Sequence, residues 1–431
     1  MKTGLGKAIE LPQLFGAEMH ENPYPVYQRL RETDPVHWDD TLKAWVLTRH
    51  DDVTWALKSL SSDRVSLARE RFRGAGFDAL WDALAALMLQ RDEPDHARLR
   101  ALVQKAFYRT SVEQWSAPIE RRIRSLLAPG LERGQMDFVW DFAVPLPILI
   151  ISELVGVPEA DRERVKRWCD DFSIVALNFY ANISSEQLAR GLESMTEFRA
   201  YLEAQVAECR RAPRDDLLSA LVLAEHDGHR LTVDELLANT ILLLNAGNET
   251  TSNLLGNGLV ALLGHPEQRE RLRREPASIP SAVEECLRYD SPVQFLGRMA
   301  TTDVECAGTP IRQGQLVLAV LAAANRDPAH FPDPDRFDVA RHPNFHLAFG
   351  HGHHHCVGSE LARLEARMAF TILLTELGTL ELLPTDLRHR ENFNMRCYQT
   401  LPIRLSTWGA PGAPQAPPAL GTPRHSRGAP R

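Results

Sequence analysis

Apolar residues recur at i, i+3 and i+4 through Arg-, Glu-, Leu- and Ala-rich segments over most of the chain up to about Pro292. That spacing lines one face of an α-helix. Near the N-terminus, Val36-His37-Trp38 and Ala44–Thr48 are strand-like runs around the polar Asp39-Asp40-Thr41, which predicts a hairpin. Short β-like runs return at Val304–Ile311, Leu316–Leu321 and Leu401–Leu405. The pattern predicts a mainly α fold with small β-sheets.

One helix stands out. Thr232-Val233-Asp234-Glu235 has capping-box spacing, and a helical pattern runs from it to Leu263, where Gly264-His265-Pro266 stops it. Such a helix is roughly 45 Å long. Ile241–Leu244 and Leu254-Leu255 make it apolar on more than one face, which places it in the middle of the protein. Its centre, Ala246-Gly247-Asn248-Glu249-Thr250-Thr251, is polar. Burying an acid and an amide is costly unless they are paired or hydrated. The stretch is either a kink whose hydroxyls bond back to the preceding turn or a polar notch over a reaction centre. Gly247 leaves room for a close approach.

Composition narrows the functions available. The 431 residues are 44% hydrophobic and 25% charged, which excludes global disorder. A net charge of −8 gives no basic field, so no nucleic-acid partner is expected. Cys169, Cys209, Cys286, Cys306, Cys356 and Cys397 lack CxxC spacing, which argues against a disulfide scaffold and a four-cysteine zinc site. A reducing, cytoplasmic location is expected. No membrane span is expected either, because the best candidate, Phe142–Ile151, is short and holds two prolines. The N-terminus has no signal-peptide apolar run. From residue 408 onward Pro, Gly and Ala dominate, so 408–431 is expected to be a disordered tail behind a single unit over 1–407.

The segment Phe345–Phe370 carries the most chemistry. Gly350, Gly352 and Gly358 surround Cys356, and a helix with Leu361, Leu364, Met368 and Ile372 near one face follows at once. Backbone amides and the helix dipole are expected to lower the cysteine pKa toward the metal-binding thiolate. Taken alone, Cys356 is an ordinary buried cysteine, a zinc ligand with His351, His353, His354 or His355, or an axial thiolate to a haem iron.

The stretch Phe349-Gly350-His351-Gly352-His353-His354-His355-Cys356-Val357-Gly358 resembles the FxxGxHxCxG haem-binding signature of the cytochrome P-450 superfamily, in its soluble bacterial branch. Ala246–Thr251 is similar to the family's oxygen-binding AGxET segment, and Glu285-Cys286-Leu287-Arg288 to its ExxR element. Asn325-Arg326-Asp327-Pro328 through Phe331–Asp338 resembles its NRDP…FPDPDRFD stretch. Asp92-Glu93-Pro94-Asp95 followed by His96–Arg100 resembles its DPPxHxxxR helix. An isolated ExxR carries little information, but the motifs occur in family order up to about Leu405. The resemblance implies a cytochrome P-450 fold with haem b between the central helix and the cysteine loop.

It also implies roles. Cys356 is the expected axial ligand and Phe349 its shield. His96 and Arg100, one helical turn apart, are expected at the haem propionates with Arg298 and His354, and Ala246 at the haem face. His351, His353 and His355 are expected at the loop surface. Glu249 and Thr250 are the expected acid–alcohol pair that delivers protons to bound dioxygen. Glu285 and Arg288 are expected to be structural, with Arg336 or Arg341 closing a buried network. No GxGxxG is present, so electrons from NAD(P)H are expected through a separate ferredoxin and ferredoxin reductase, docking near Arg363 and Arg367.

The resemblance further implies substrate contacts from Phe77, Trp81, Leu84, Leu87 and Met88, from Phe172, Ile174, Val175, Leu177 and Phe179, and from Leu243, Ala246, Val293 and Phe295. This apolar wall predicts a hydrophobic small molecule, such as a secondary metabolite, as substrate. Three other outcomes remain: oxidative coupling or desaturation on the same fold, a non-catalytic haem-thiolate scaffold, and a zinc hydrolase.

Overall fold

The computed structural model describes residues 19, 21–71, 77–108, 112–177, 184–392 and 394–409. Its longest element is the central helix, Val233–Gly264, buried along most of its length and on several faces. Thr232 starts it with a full capping box: the Glu235 N–H donates to Thr232 Oγ1 at 3.2 Å, and Glu235 Oε2 accepts from the Thr232 N–H at 2.9 Å. The next helix, Pro266–Arg274, begins two residues after it ends.

Small residues let other helices close on this one. A Cβ on Gly258 would lie 2.7 Å from Phe370 Cζ and 3.2 Å from Cys286 Sγ, so the central helix, the Glu285 helix (Ile279–Tyr289) and the cysteine helix (Ser359–Thr375) meet there. At Gly247 the neighbour is Ile151 of the buried helix Pro145–Val155, 3.3 Å from an added Cβ. That helix covers much of the apolar run over Phe142–Ile151. Among the described residues no helix is long and apolar enough to cross a membrane.

The strands are β1 (Val36–Asp39), β2 (Ala44–Leu47), β3 (Gln135–Asp137), β4 (Leu296–Met299), β5 (Val304–Cys306), β6 (Thr309–Ile311), β7 (Leu316–Ala319), β8 (Leu377–Leu382) and β9 (Pro402–Thr407). They form sheets ordered β1-β2-β7-β4, β3-β9-β8 and β5-β6. The expected hairpin is present, with Val36 opposite Leu47. The run over Leu316–Leu321 ends as a strand at Ala319 and continues as a short helix, Leu321–Ala324. β3, β4 and β8 were not expected. Arg298 lies within β4 and pairs in register with Val317 of β7, so the sheet fixes where its side chain starts.

Trp408, placed in the expected tail, packs on the body: its Nε1 donates to Thr375 O at 3.0 Å, and the Arg273 guanidinium lies 5.2 Å from its ring. Residues 410–431 lie outside the described residues, as does Phe179.

Candidate functional site

Cys356 sits in a loop closed by its own backbone. The Cys356 N–H donates to Phe349 O at 2.9 Å, the Gly350 N–H to Leu347 O at 2.8 Å and the His355 N–H to Gly352 O at 3.0 Å. Gly350 (φ 71°) and Gly352 (φ 75°) take left-handed backbone, which glycine adopts without steric cost. Asn325 Oδ1 accepts from the Leu347 N–H at 2.6 Å and anchors the approach to the loop. The cysteine helix starts three residues after the sulfur.

Cys356 presents exposed surface although protein surrounds its sulfur densely. The expected depression of its pKa is corrected by the structure. Burial pushes the thiol up, and the Gly358 N–H, Arg100 and Arg363 oppose it only in part. The loop amide and nearby cations thus offset that burial only in part, and a coordinated metal ion would favour the thiolate.

Basic groups gather beside this loop. His96, on the helix Asp95–Tyr108, is buried with its ring centroid 3.9 Å from that of His354. Burial first, then His96, Arg298, Arg64 and Arg100, push His354 down to about 3. Burial likewise lowers His96. Glu93 marks the outer edge, with Oε1 3.3 Å from His96 Nδ1 and 3.1 Å from His353 Nδ1. Buried Arg298 donates from Nη1 to Gly297 O at 2.9 Å, and Arg64 from Nε to Gln90 Oε1 at 3.2 Å. The structure thus brings the expected His96, Arg100, Arg298 and His354 together and adds Arg64. Guanidinium groups clustered this way suit carboxylates on a bound group. His353 and His355 are at the surface as expected, and His351 is half-buried.

On the central helix, Ala246 is exposed although the residues from Leu236 to Asn245 before it are buried. The helix therefore passes an open space there, and a methyl is the whole side chain that borders it. Thr250 Oγ1 donates to Ala246 O at 2.8 Å and Ser252 Oγ to Asn248 O at 3.0 Å, so the hydroxyls do bond back to the preceding turn. Glu249 Oε1 accepts from Asn392 Nδ2 at 3.3 Å. Burial raises the Glu249 pKa, while Arg390 and Lys166 lower it and Asp170 adds to the rise. Asn392 and Arg390 come from the far C-terminal part and carry no local signal in the sequence.

The Glu285–Arg288 pair is fully buried. Arg288 donates from Nε to Glu285 Oε2 at 2.7 Å and from Nη2 to Oε1 at 2.9 Å. Arg341, not Arg336, closes the network: its Nε lies 3.2 Å from Glu285 Oε2. Arg336 supplies only its carbonyl, which accepts from Arg288 and Arg341. The Asp338 N–H and Asn344 Nδ2 also donate to the carboxylate. The network joins the Glu285 helix to the loop that leads to Cys356.

Arg363, expected as a docking cation, lies among acidic side chains of its own chain. Its guanidinium pairs with Glu284 at 2.8 Å and Glu360 at 2.7 Å and lies 4.5 Å from the centroid of the Phe349 ring. Arg367 is exposed. Of the expected pocket wall, Trp81, Leu84, Leu87, Met88, Phe172, Val175, Leu243 and Phe295 are buried and Phe77, Ile174 and Val293 half-buried, with Ala246 the exposed member among the described residues. On the cysteine helix, Glu365 is buried with Oε2 lacking a hydrogen-bond partner, and burial raises it to about 8.

Comparison with known proteins gives this arrangement a family. The family model for cytochrome P450 matches residues 157–395. The chain is 38% identical over 390 residues to the biotin biosynthesis cytochrome P450 of Bacillus subtilis, covering 90% of this chain and 97% of that one. It is 40% identical over 402 residues to the cytochrome P450 monooxygenase PikC of Streptomyces venezuelae, covering 90% and 92%. Among solved structures, P450BioI in complex with an acyl carrier protein bearing hexadec-9Z-enoic acid superposes with a TM-score of 0.84 at 37% identity, covering 90% of this chain and 99% of that one. Likeness that runs through nine-tenths of the residues at such identities is that of common descent, and the chain belongs to the cytochrome P450 family, whose enzymes are haem monooxygenases.

Proposed function

We propose that this enzyme binds haem b through Cys356 and inserts one atom of dioxygen into a hydrophobic small molecule, by hydroxylation or epoxidation. The observation that carries the reading is the setting of Cys356: exposed surface on a backbone-closed loop, with Arg64, His96, Arg100, Arg298 and His354 gathered beside it. The donor set fits the group. The sulfur would take the iron, the cationic side chains the two propionates, and the small Ala246 the flat face. When bound, haem would supply the activation of dioxygen, with the Cys356 sulfur donating electron density to it.

The chain's own residues do the rest. Phe349, held by Arg363, covers the cysteine loop. Thr250 offers a hydroxyl that, once turned from Ala246 O, would be free to donate a hydrogen bond over the haem face. Glu249, with its raised pKa, holds a proton more readily than an ordinary carboxyl and can pass it on from the side of Asn392, Arg390 and Lys166. Glu285, Arg288 and Arg341 hold the loop. Trp81, Met88, Leu243, Val293 and Phe295 are proposed as pocket wall, and Phe179, outside the described residues, joins them on the sequence reading.

Electrons are proposed to come from NAD(P)H by way of a ferredoxin reductase and a ferredoxin in the cytoplasm. Exposed Lys58, which with Glu93, Gly352 and His353 among others lines a 530 Å³ hollow beside the cysteine loop, supports an acidic donor. A relative named for polyketide biosynthesis supports a secondary metabolite as substrate, and the fatty-acid-bearing carrier protein in the P450BioI complex supports an acyl chain. The test is a ligand screen for a low- to high-spin shift, followed by turnover of each hit under ¹⁸O₂ with a ferredoxin, its reductase and NAD(P)H. A product heavier by one ¹⁸O atom supports the reading. A coupled or desaturated product without label contradicts oxygen insertion, and no NAD(P)H use with any hit contradicts catalysis.

A further inference from the structure

Away from the cysteine loop, a helix start and a turn bring two histidines and an aspartate together. The helix His50–Ser59 begins with His50, whose N–H donates to Asp327 Oδ2 at 2.9 Å. The same Asp327 accepts, through its carbonyl, the His330 N–H at 3.0 Å. One aspartate therefore fixes both backbones, and the rings of His50 and His330 stack with centroids 3.9 Å apart. Asp51 Oδ1 lies 2.9 Å from His330 Nε2 and 3.9 Å from His50 Nδ1. Among the described residues this is the one group of three such side chains whose ligand atoms all lie within 4.8 Å of one another.

His50 carries the argument. It is 9% exposed. Its Nε2 faces Phe345 O at 3.4 Å, and a carbonyl only accepts, so Nε2 holds the proton. Nδ1 is then a bare lone pair, and it is buried with no hydrogen-bond partner. A ring nitrogen oriented by a carbonyl on its far side, with its other nitrogen unpaired and a carboxylate oxygen 3.9 Å away, is the arrangement of a metal-binding histidine. A surface ion pair between Asp51 and His330 would explain their contact but leave His50 Nδ1 unsatisfied.

We propose that His50 Nδ1, Asp51 Oδ1 and His330 Nε2 form a site for a divalent transition-metal ion such as Zn²⁺, separate from the Cys356 site. Two imidazoles and one carboxylate suit Zn²⁺, Co²⁺ or Ni²⁺ and disfavour Mg²⁺ and Ca²⁺, which take oxygen ligands. Bonds of about 2.0–2.1 Å to a tetrahedral ion set neighbouring ligand atoms about 3.3 Å apart, between the two separations to Asp51. Water completes the shell, because Asp51 is 86% exposed. Stacked rings hold their lone pairs in separate planes, so His330, 35% exposed on its turn, rotates out of the stack on binding. The bound ion ties the start of the His50 helix to the turn after Asp327 and, through Phe345, to the segment that enters the cysteine loop.

The test is calorimetric titration of Zn²⁺ into tag-free, haem-loaded protein. One saturable site is expected, weakened at least tenfold by His330→Ala and by Asp51→Asn and unchanged by His353→Ala, which probes the loop histidines instead. Asp51→Asn keeps the test decisive if His330→Ala fails to fold. The proposal is overturned by the absence of a saturable site, by wild-type affinity in Asp51→Asn, by loss in His353→Ala, or by equal binding of Mg²⁺.

Discussion

Replacing Arg341 with alanine removes one of two guanidiniums from a carboxylate that has no access to water. Glu285 and Arg288 are both 0% exposed and Arg341 10%. The arginine also spans the loop, donating to Pro332 O at 2.7 Å, Asp333 O at 3.1 Å and Arg336 O at 3.0 Å. Breaking a buried ion pair by removing one partner costs about 3–5 kcal/mol, because the remaining charge is left uncompensated. Here Arg288, the Asp338 N–H and Asn344 still face Glu285, so the lower end, about 3 kcal/mol, is expected. That is a large part of a folding stability of about 5–15 kcal/mol, and more than a hundredfold in the unfolding constant. Arg336 contributes only its carbonyl to the network, which alanine keeps, so Arg336→Ala changes stability by no more than about 0.5 kcal/mol. Urea denaturation followed by far-UV circular dichroism compares the two, and haem content after gel filtration reports whether the cysteine loop has loosened. Equal losses in Arg336→Ala and Arg341→Ala, or none in either, refute the assignment of Arg341 as the closing residue.

Glu365 makes stability fall as pH rises. Its folded-state pKa, about 8, lies above the ordinary 4.5. Between those values the folded state keeps a proton that the unfolded chain releases, and stability drops by up to about 5 kcal/mol before levelling off above pH 8. Glu365→Gln removes that contribution, and a denaturation series from pH 5 to 9 that shows the same slope in both proteins contradicts it. Gly258→Ala forces a methyl against Phe370 and Cys286 and is expected to cost about 1–3 kcal/mol in thermal or urea unfolding; wild-type stability would mean that the three helices can part there. Thr250→Ala is expected to keep NAD(P)H consumption while product per NAD(P)H falls and hydrogen peroxide rises, and unchanged coupling rules out its part in proton delivery.

What the sequence disclosed was local. The central helix carries its cap, its apolar faces and its Gly-His-Pro stop within one window, and it forms within a residue of the expected bounds. That His96, Arg298 and His354 lie together beside the Cys356 loop is a grouping the family resemblance had implied. What stayed hidden depends on segments far apart in the chain. Nothing near Glu285 distinguishes Arg341 from Arg336, since the loop that presents them has no period. Arg64 joins the basic cluster, and Asn392 reaches Glu249, only through tertiary contact. β4 holds an arginine and a glycine and lacks strand alternation; its pairing with β7 makes it a strand. The Cys356 thiol was misjudged because loop amides and a helix start are visible in sequence, whereas the protein packed around the sulfur is not.

The central claim is that the Cys356 sulfur is the axial ligand of a haem iron. The absorption spectrum of the reduced protein with carbon monoxide tests it most directly. A strongly red-shifted Soret band in the wild type, lost in Cys356→Ala while bound haem can still be measured, is the predicted result. The same red-shifted band in wild type and Cys356→Ala would contradict it.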